Sequence, residues 1–130
     1  MIYLDSSVAL AHLLAEDRSP PESLWQQPLA SSRLLEYEVW NRIHALRLGD
    51  SHGEAVRDLI SRLALIELAT PVLARALEPF PIPVRTLDAL HLASIEFLRA
   101  SRQEVELVTY DLKLMAAARA LDIRCAQSLV

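Results

Sequence analysis

The sequence predicts an α/β fold, a central parallel sheet of four to five strands with helices on both faces. Two patterns predict it. Short apolar runs of β character alternate with longer runs of helical period, the pattern of successive βαβ units. The run "VELVTY" also alternates less than a half-exposed edge strand would, which suits a sheet buried on both faces. At 130 residues the chain is read as one domain, residues 1–130, long enough to bury a substantial core.

Each element has its own signal. "MIYL" is the first strand and "SSVALAHLLAE" the helix after it. "PLASS", opened by Pro28, is a weak second strand. The helix "RLLEYEVWNRIHALRL" follows and stops at Gly49. "SHGEAVRDLISRLA" is a further helix, with Ser51 or Asp50 as its cap. "LIELA" is the third strand, ended by Thr70-Pro71, and "PVLARAL" is a short helix. The prolines of "EPFPIPV" restrict that stretch to a loop. Thr86 caps the helix "TLDALHLASIEFLRAS"; then come the strand "VELVTY", placed centrally, the helix "LKLMAAARAL" and a last strand "IRCAQ".

Composition narrows the function classes. Hydrophobic residues make up 52% of the chain, yet no apolar run nears the roughly 18–20 residues of a membrane span. The apolar excess is therefore expected in a buried sheet, a subunit interface, or both. No basic flank or cleavage site of a signal peptide stands at the start. Cys125 is the only cysteine, so no internal disulfide can form, and a cytoplasmic setting is the expectation. His12, His44, His52 and His91 lack zinc-ligand spacing. With two glycines in the chain there is neither a G-x-G-x-x-G dinucleotide loop nor a Walker P-loop. The net charge of −4, from 17 acids and 13 bases, argues against a wide basic face for nucleic acid. The charge loses that force where some acids are metal ligands.

Four carboxylates stand out. Asp5 ends the strand "MIYL" and Asp111 ends "VELVTY", and ligands of open parallel sheets bind beyond such strand ends. Capping alone explains either one, because each precedes a helix. Asp88 lies in the first turn of its helix, where its charge complements the helix dipole. Its partners four and seven residues on, Leu92 and Ile95, are apolar, so it shares a core-facing stripe. On a wheel of about 100° per residue, Glu38 falls within the apolar arc of its helix, whereas Glu36 falls outside it. A carboxylate on an apolar arc is either paired, with Arg42 as the nearest base, or bound to a metal. Two carboxylates at ~4 Å repel by about 4 kcal/mol at an effective dielectric of about 20, so four need a cation. An all-oxygen donor set selects Mg²⁺ or Mn²⁺ over zinc. Metal-assisted phosphodiester hydrolysis is the chemistry such a set serves. Ser6 and Ser7 offer hydroxyls beside Asp5 but are equally good helix-start residues. His91, on an apolar helix, reads as a satisfied core histidine.

Together "YLDSS", "RLLEYEVWNR", "TLDALHLA" and "LVTYDLKLMAAARALDI" resemble the PIN-domain ribonucleases, closely the VapC-type toxins of bacterial toxin–antitoxin pairs. The likeness runs from Met1 nearly to the C-terminus. It implies a three-layer α/β/α sandwich, a homodimer, and an Mg²⁺- or Mn²⁺-dependent endoribonuclease that acts on RNA and is silenced by a cognate antitoxin. It also implies that Asp5, Glu38, Asp88 and Asp111 are the catalytic, metal-binding quartet, supported by the hydroxyls of Ser6 and Thr109. Some relatives carry a further acid just after the last one; here Leu112, Lys113 and Leu114 follow. The alternative is a non-catalytic, Mg²⁺-binding receiver-like signalling domain. That reading requires paired acids near the first strand, and Asp5 has no acidic neighbour before Glu16.

Overall fold

The computed structural model describes residues 1–129. Five parallel strands form one sheet: β1 (Ile2–Leu4), β2 (Leu29–Ser32), β3 (Leu63–Ile66), β4 (Glu106–Val108) and β5 (Arg124–Cys125). Their spatial order is β3-β2-β1-β4-β5. Six helices connect them: α1 (Ser6–Leu13), α2 (Leu34–Ala45), α3 (Gly49–Ser61), α4 (Thr70–Ala76), α5 (Thr86–Ala100) and α6 (Leu112–Ala120). The predicted sheet of parallel strands is therefore present.

Alternation along the strands separates two cores. Ile2, Leu4, Leu29 and Val108 point to one face, where they meet Val8, Leu35, Val39, Ile43 and Val56 from α1, α2 and α3. Tyr3, Ala30 and Leu107 point to the other and meet Leu92, Ile95, Leu114 and Ala118 from α5 and α6. A strand buried on both faces must be apolar at successive positions, which is why these runs look continuous in the sequence. The three layers follow from that double burial. The order reverses at β1, whose neighbours β2 and β4 continue in opposite directions across the sheet. A crevice beyond the strand ends forms at such a switch point.

Several element boundaries differ from the sequence reading. The third strand begins two residues before "LIELA", because Leu63 is in register with Leu29. It lies at a sheet edge and is only partly buried. β4 is interior, but β1 holds the middle position. α3 starts at Gly49 with no side-chain cap, and Ser51 Oγ donates to Leu48 O instead. Thr86 is the first helical residue of α5, after an uncapped Arg85. A 3₁₀ turn at Glu22–Gln26 had no sequence signal of its own.

Four helices end early by one device. Ala15, Arg47, Arg102 and Asp122 take positive φ values of 49°, 58°, 63° and 58°. Each stands two residues past the last residue of α1, α2, α5 or α6. The next amide in each case turns back to a carbonyl of the final turn: Glu16 N to Ala11 O at 2.9 Å, Leu48 N to Ile43 O at 2.9 Å, Gln103 N to Leu98 O at 3.1 Å, Ile123 N to Ala118 O at 3.0 Å. This is the Schellman closure, ordinarily marked by glycine. Left-handed backbone costs an L-residue about 1–2 kcal/mol, and closure of the orphan carbonyls offsets it.

Candidate active site

β1 and β4 lie side by side and deliver Asp5 and Thr109 to the same sheet edge. Asp5 occupies the N-cap position of α1, yet its carboxylate caps nothing. Instead its Oδ2 accepts two hydroxyls, from Ser7 Oγ at 2.6 Å and Thr109 Oγ1 at 2.7 Å. The residue is 5% exposed. A buried carboxylate held this way has been placed by the fold for some purpose other than starting a helix. Asp111 behaves differently. It is the N-cap of α6, and its Oδ1 accepts from the amides of Lys113 at 2.9 Å and Leu114 at 3.2 Å.

Thr109 links the two acids. While its hydroxyl donates to Asp5, it accepts from the Asp111 amide at 2.9 Å. Ser7 makes a parallel link by accepting from the Tyr110 amide at 3.0 Å. The serine hydroxyl that reaches Asp5 is thus that of Ser7, where the resemblance placed Ser6. A helix puts the two serines about 100° apart, and the side facing β4 falls to the second.

Asp88 enters from the first turn of α5, half-buried. Its carboxyl is pushed above the usual range, first by burial, then by the charges of Asp111 and Asp5. Asp88 therefore lies within the electrostatic reach of both Asp111 and Asp5. Glu38, on α2 with its side chain 20% exposed, is linked to the aspartates through His91, which feels the charges of Glu38, Asp5 and Asp88. Its partner is not Arg42 but His91, whose Nε2 lies 2.6 Å from Oε1. Glu36 stands apart in a pair with Arg33 at 2.6 Å. Glu38 thus faces the buried His91 and Glu36 does not, although Ala45 and Leu46 at the end of the same helix are exposed.

His91 was read as a core residue and is 1% exposed. Burial alone would push its imidazole down, but the hydrogen bond and charge of Glu38, with Asp5 and Asp88 beyond, leave it raised. Its other nitrogen, Nδ1, lies 2.7 Å from Tyr3 Oη. The available sequence signal was that Glu38 and His91 each sit on an apolar helical face, where each requires a polar partner.

The donor chemistry suits a hard cation. Asp5, Asp111 and Glu38 each commit one carboxylate oxygen to the protein, and their second oxygens accept no hydrogen bond from the described residues. Asp88 commits neither. Among the described residues no three acids, histidines or cysteines already stand close enough to enclose an ion. Asp88 feels the charges of both Asp111 and Asp5, and carboxylate oxygens are the donor type that Mg²⁺ and Mn²⁺ favour.

Comparison with known proteins identifies the family and the fold. The family model described as PIN domain matches residues 2–121. Ribonuclease VapC46 of Mycobacterium tuberculosis strain H37Rv is 33% identical over 123 residues, covering 92% of this chain and 92% of its own. Ribonuclease VapC47 of Mycobacterium tuberculosis strain CDC 1551 is 29% identical over 126 residues, covering 92% of this chain and 90% of its own. Among solved structures, a toxin–antitoxin complex from Klebsiella pneumoniae has a chain that superposes with a TM-score of 0.63 at 16% identity, covering 92% and 94% of the two chains; it shares the fold. On the match across residues 2–121 and the VapC relatives at about 30% identity, this chain belongs to the PIN-domain family, as a protein of the VapC type.

Proposed function

We propose that the protein is a divalent-metal-dependent endoribonuclease toxin whose activity a cognate antitoxin holds in check. One observation carries the reading: three buried or half-buried aspartates from β1, α5 and the start of α6 share one field, and Asp5 and Asp111 each keep one oxygen uncommitted. Its family membership and its ribonuclease relatives point to RNA as the substrate. No helix among the described residues is long and apolar enough to cross a membrane.

Asp5, Asp88 and Asp111 would hold Mg²⁺ or Mn²⁺, with Glu38 at the rim. The ion would lower the pKa of an attacking water and neutralise charge on the phosphoryl oxygens. The chain's own part is positional. Ser7 and Thr109 fix Asp5, two backbone amides fix Asp111, and His91 fixes Glu38. Such fixation leaves less reorganisation for the reacting state.

An apolar groove of about 610 Å³ adjoins the site, lined by Leu73, Leu77, Phe80, Ile82 and Leu90, with Ala89 next to Asp88. Leu77 is 88% exposed there. A surface of this kind suits an antitoxin segment that covers both the groove and the carboxylates. A homodimer is the expected assembly.

The test is cleavage of a single-stranded or looped RNA by purified protein in Mg²⁺, in Mn²⁺ and in EDTA. The expected result is cutting with either ion, loss with chelator, and inhibition by the antitoxin. Undiminished cutting in EDTA refutes the metal mechanism.

A further inference from the structure

The bond between His91 and Glu38 has no counterpart among ordinary core contacts. His91 is 1% exposed on a helix whose Leu92 and Ile95 are fully buried, a setting where an aliphatic side chain would pack without desolvating an imidazole. Both ring nitrogens are nonetheless satisfied, by Tyr3 Oη at 2.7 Å and Glu38 Oε1 at 2.6 Å. The three residues come from three elements. Tyr3 is on β1, two residues before Asp5; His91 is on α5, three residues after Asp88; Glu38 is on α2, in the opposite helical layer. The tyrosine and histidine rings meet edge to face, 5.8 Å between centroids and 83° between planes, which fixes the imidazole's rotation.

Glutamate is the longest and most flexible of the four acids, and it lacks the paired donors that hold Asp5 and Asp111. A carboxylate only accepts, so Nε2 carries a hydrogen toward Glu38 whatever the charge of the ring. The phenol of Tyr3 can donate to Nδ1 or accept from it. The relay therefore holds in either protonation state.

We propose that His91, braced by Tyr3, is a positioning residue that holds one oxygen of Glu38 and leaves the other free at the rim of the acidic site. This rests on the metal-dependent reading above. A residue that orients a ligand in this way typically changes metal affinity by about 10–100-fold when removed.

The experiment is a double-mutant cycle read by Mn²⁺ binding, using calorimetry or electron paramagnetic resonance, with melting temperature measured alongside. His91→Leu and Glu38→Gln should each weaken Mn²⁺ by about tenfold, and the double variant should be no weaker than the worse single. His91→Gln, which keeps an amide N–H near the position of Nε2, should recover most of the loss. Tyr3→Phe should give a smaller loss that vanishes in the Glu38→Gln background, and it carries the test where His91→Leu does not fold. A merely structural histidine predicts the opposite: lower melting temperature with Mn²⁺ affinity within about twofold, or losses that multiply in the double variant. Either result overturns the proposal. If wild-type protein binds Mn²⁺ and cuts RNA while the cycle is additive, only the role of His91 falls. If wild type neither binds nor cuts, the nuclease reading falls with it.

Discussion

Thr109→Val removes one oxygen and keeps the shape of a side chain that is 2% exposed, so its effect reports the hydroxyl rather than a cavity. Two hydrogen bonds disappear: 2.7 Å to the Asp5 carboxylate and 2.9 Å from the Asp111 amide. The first is charge-assisted and contributes about 1.5–3 kcal/mol; the second leaves a part-buried N–H without its acceptor, at about 1–3 kcal/mol. Ser7 still donates to the same Asp5 oxygen at 2.6 Å, which keeps the sum toward its lower end. The expected destabilisation is about 2–3 kcal/mol. For a chain of this length that lowers Tm by roughly 7–11 °C. Thr109→Ser keeps the hydroxyl and loses one buried methyl, so it should cost only about 1 kcal/mol. Urea unfolding of the metal-free protein measures both, with an unchanged m-value showing that the denatured state is not the cause. RNA cleavage should fall at least tenfold in the valine variant and stay near wild type in the serine variant. If valine is as stable as serine, the hydroxyl does not join the two acids and the account of Asp5 is wrong.

Two further outcomes follow from the same geometry. The carboxyl of Asp88 is raised in the folded state by burial and by Asp111 and Asp5, so the folded protein holds that proton more tightly than the unfolded chain does. The stability this supplies is present at acid pH and is lost as pH rises through the raised value. Asp88→Asn should therefore melt higher than wild type at neutral pH without metal, and the order should reverse in Mg²⁺, which stabilises only the protein that binds it. A variant less stable than wild type in EDTA at neutral pH contradicts this. For the two glutamates, Glu36→Gln breaks only a surface pair with Arg33 and should move stability by no more than about 1 kcal/mol with cleavage unchanged. Glu38→Gln weakens the bond to buried His91, so it should destabilise the metal-free protein and abolish cleavage; the reverse pattern, measured by melting and RNA cutting, assigns the site to the wrong glutamate.

Local pattern was enough for much of this protein. Strand and helix alternate visibly because a strand buried on both faces is apolar throughout, and a helix buried on one side has a 3.6-residue period. Asp5 and Asp111 were legible because a carboxylate closing an apolar strand has no local reason to be there beyond capping. Glu38 was distinguishable from Glu36 because helix phase is a local property. The helix ends were not legible, since Ala15, Arg47, Arg102 and Asp122 adopt a backbone usually signalled by glycine. Only the tertiary structure decided which carboxylates cap. Asp5 and Asp111 look alike in sequence, but Thr109 comes from 104 residues away to turn Asp5 from its helix, while Asp111 keeps its amides. It likewise decided that Ser7 rather than Ser6 reaches Asp5, and that Glu38 pairs with His91, 53 residues on, rather than with Arg42 one turn away. A side chain's rotamer is settled by which partner arrives when the sheet closes, and distant hydrogen bonds of that kind leave no periodic trace along the chain.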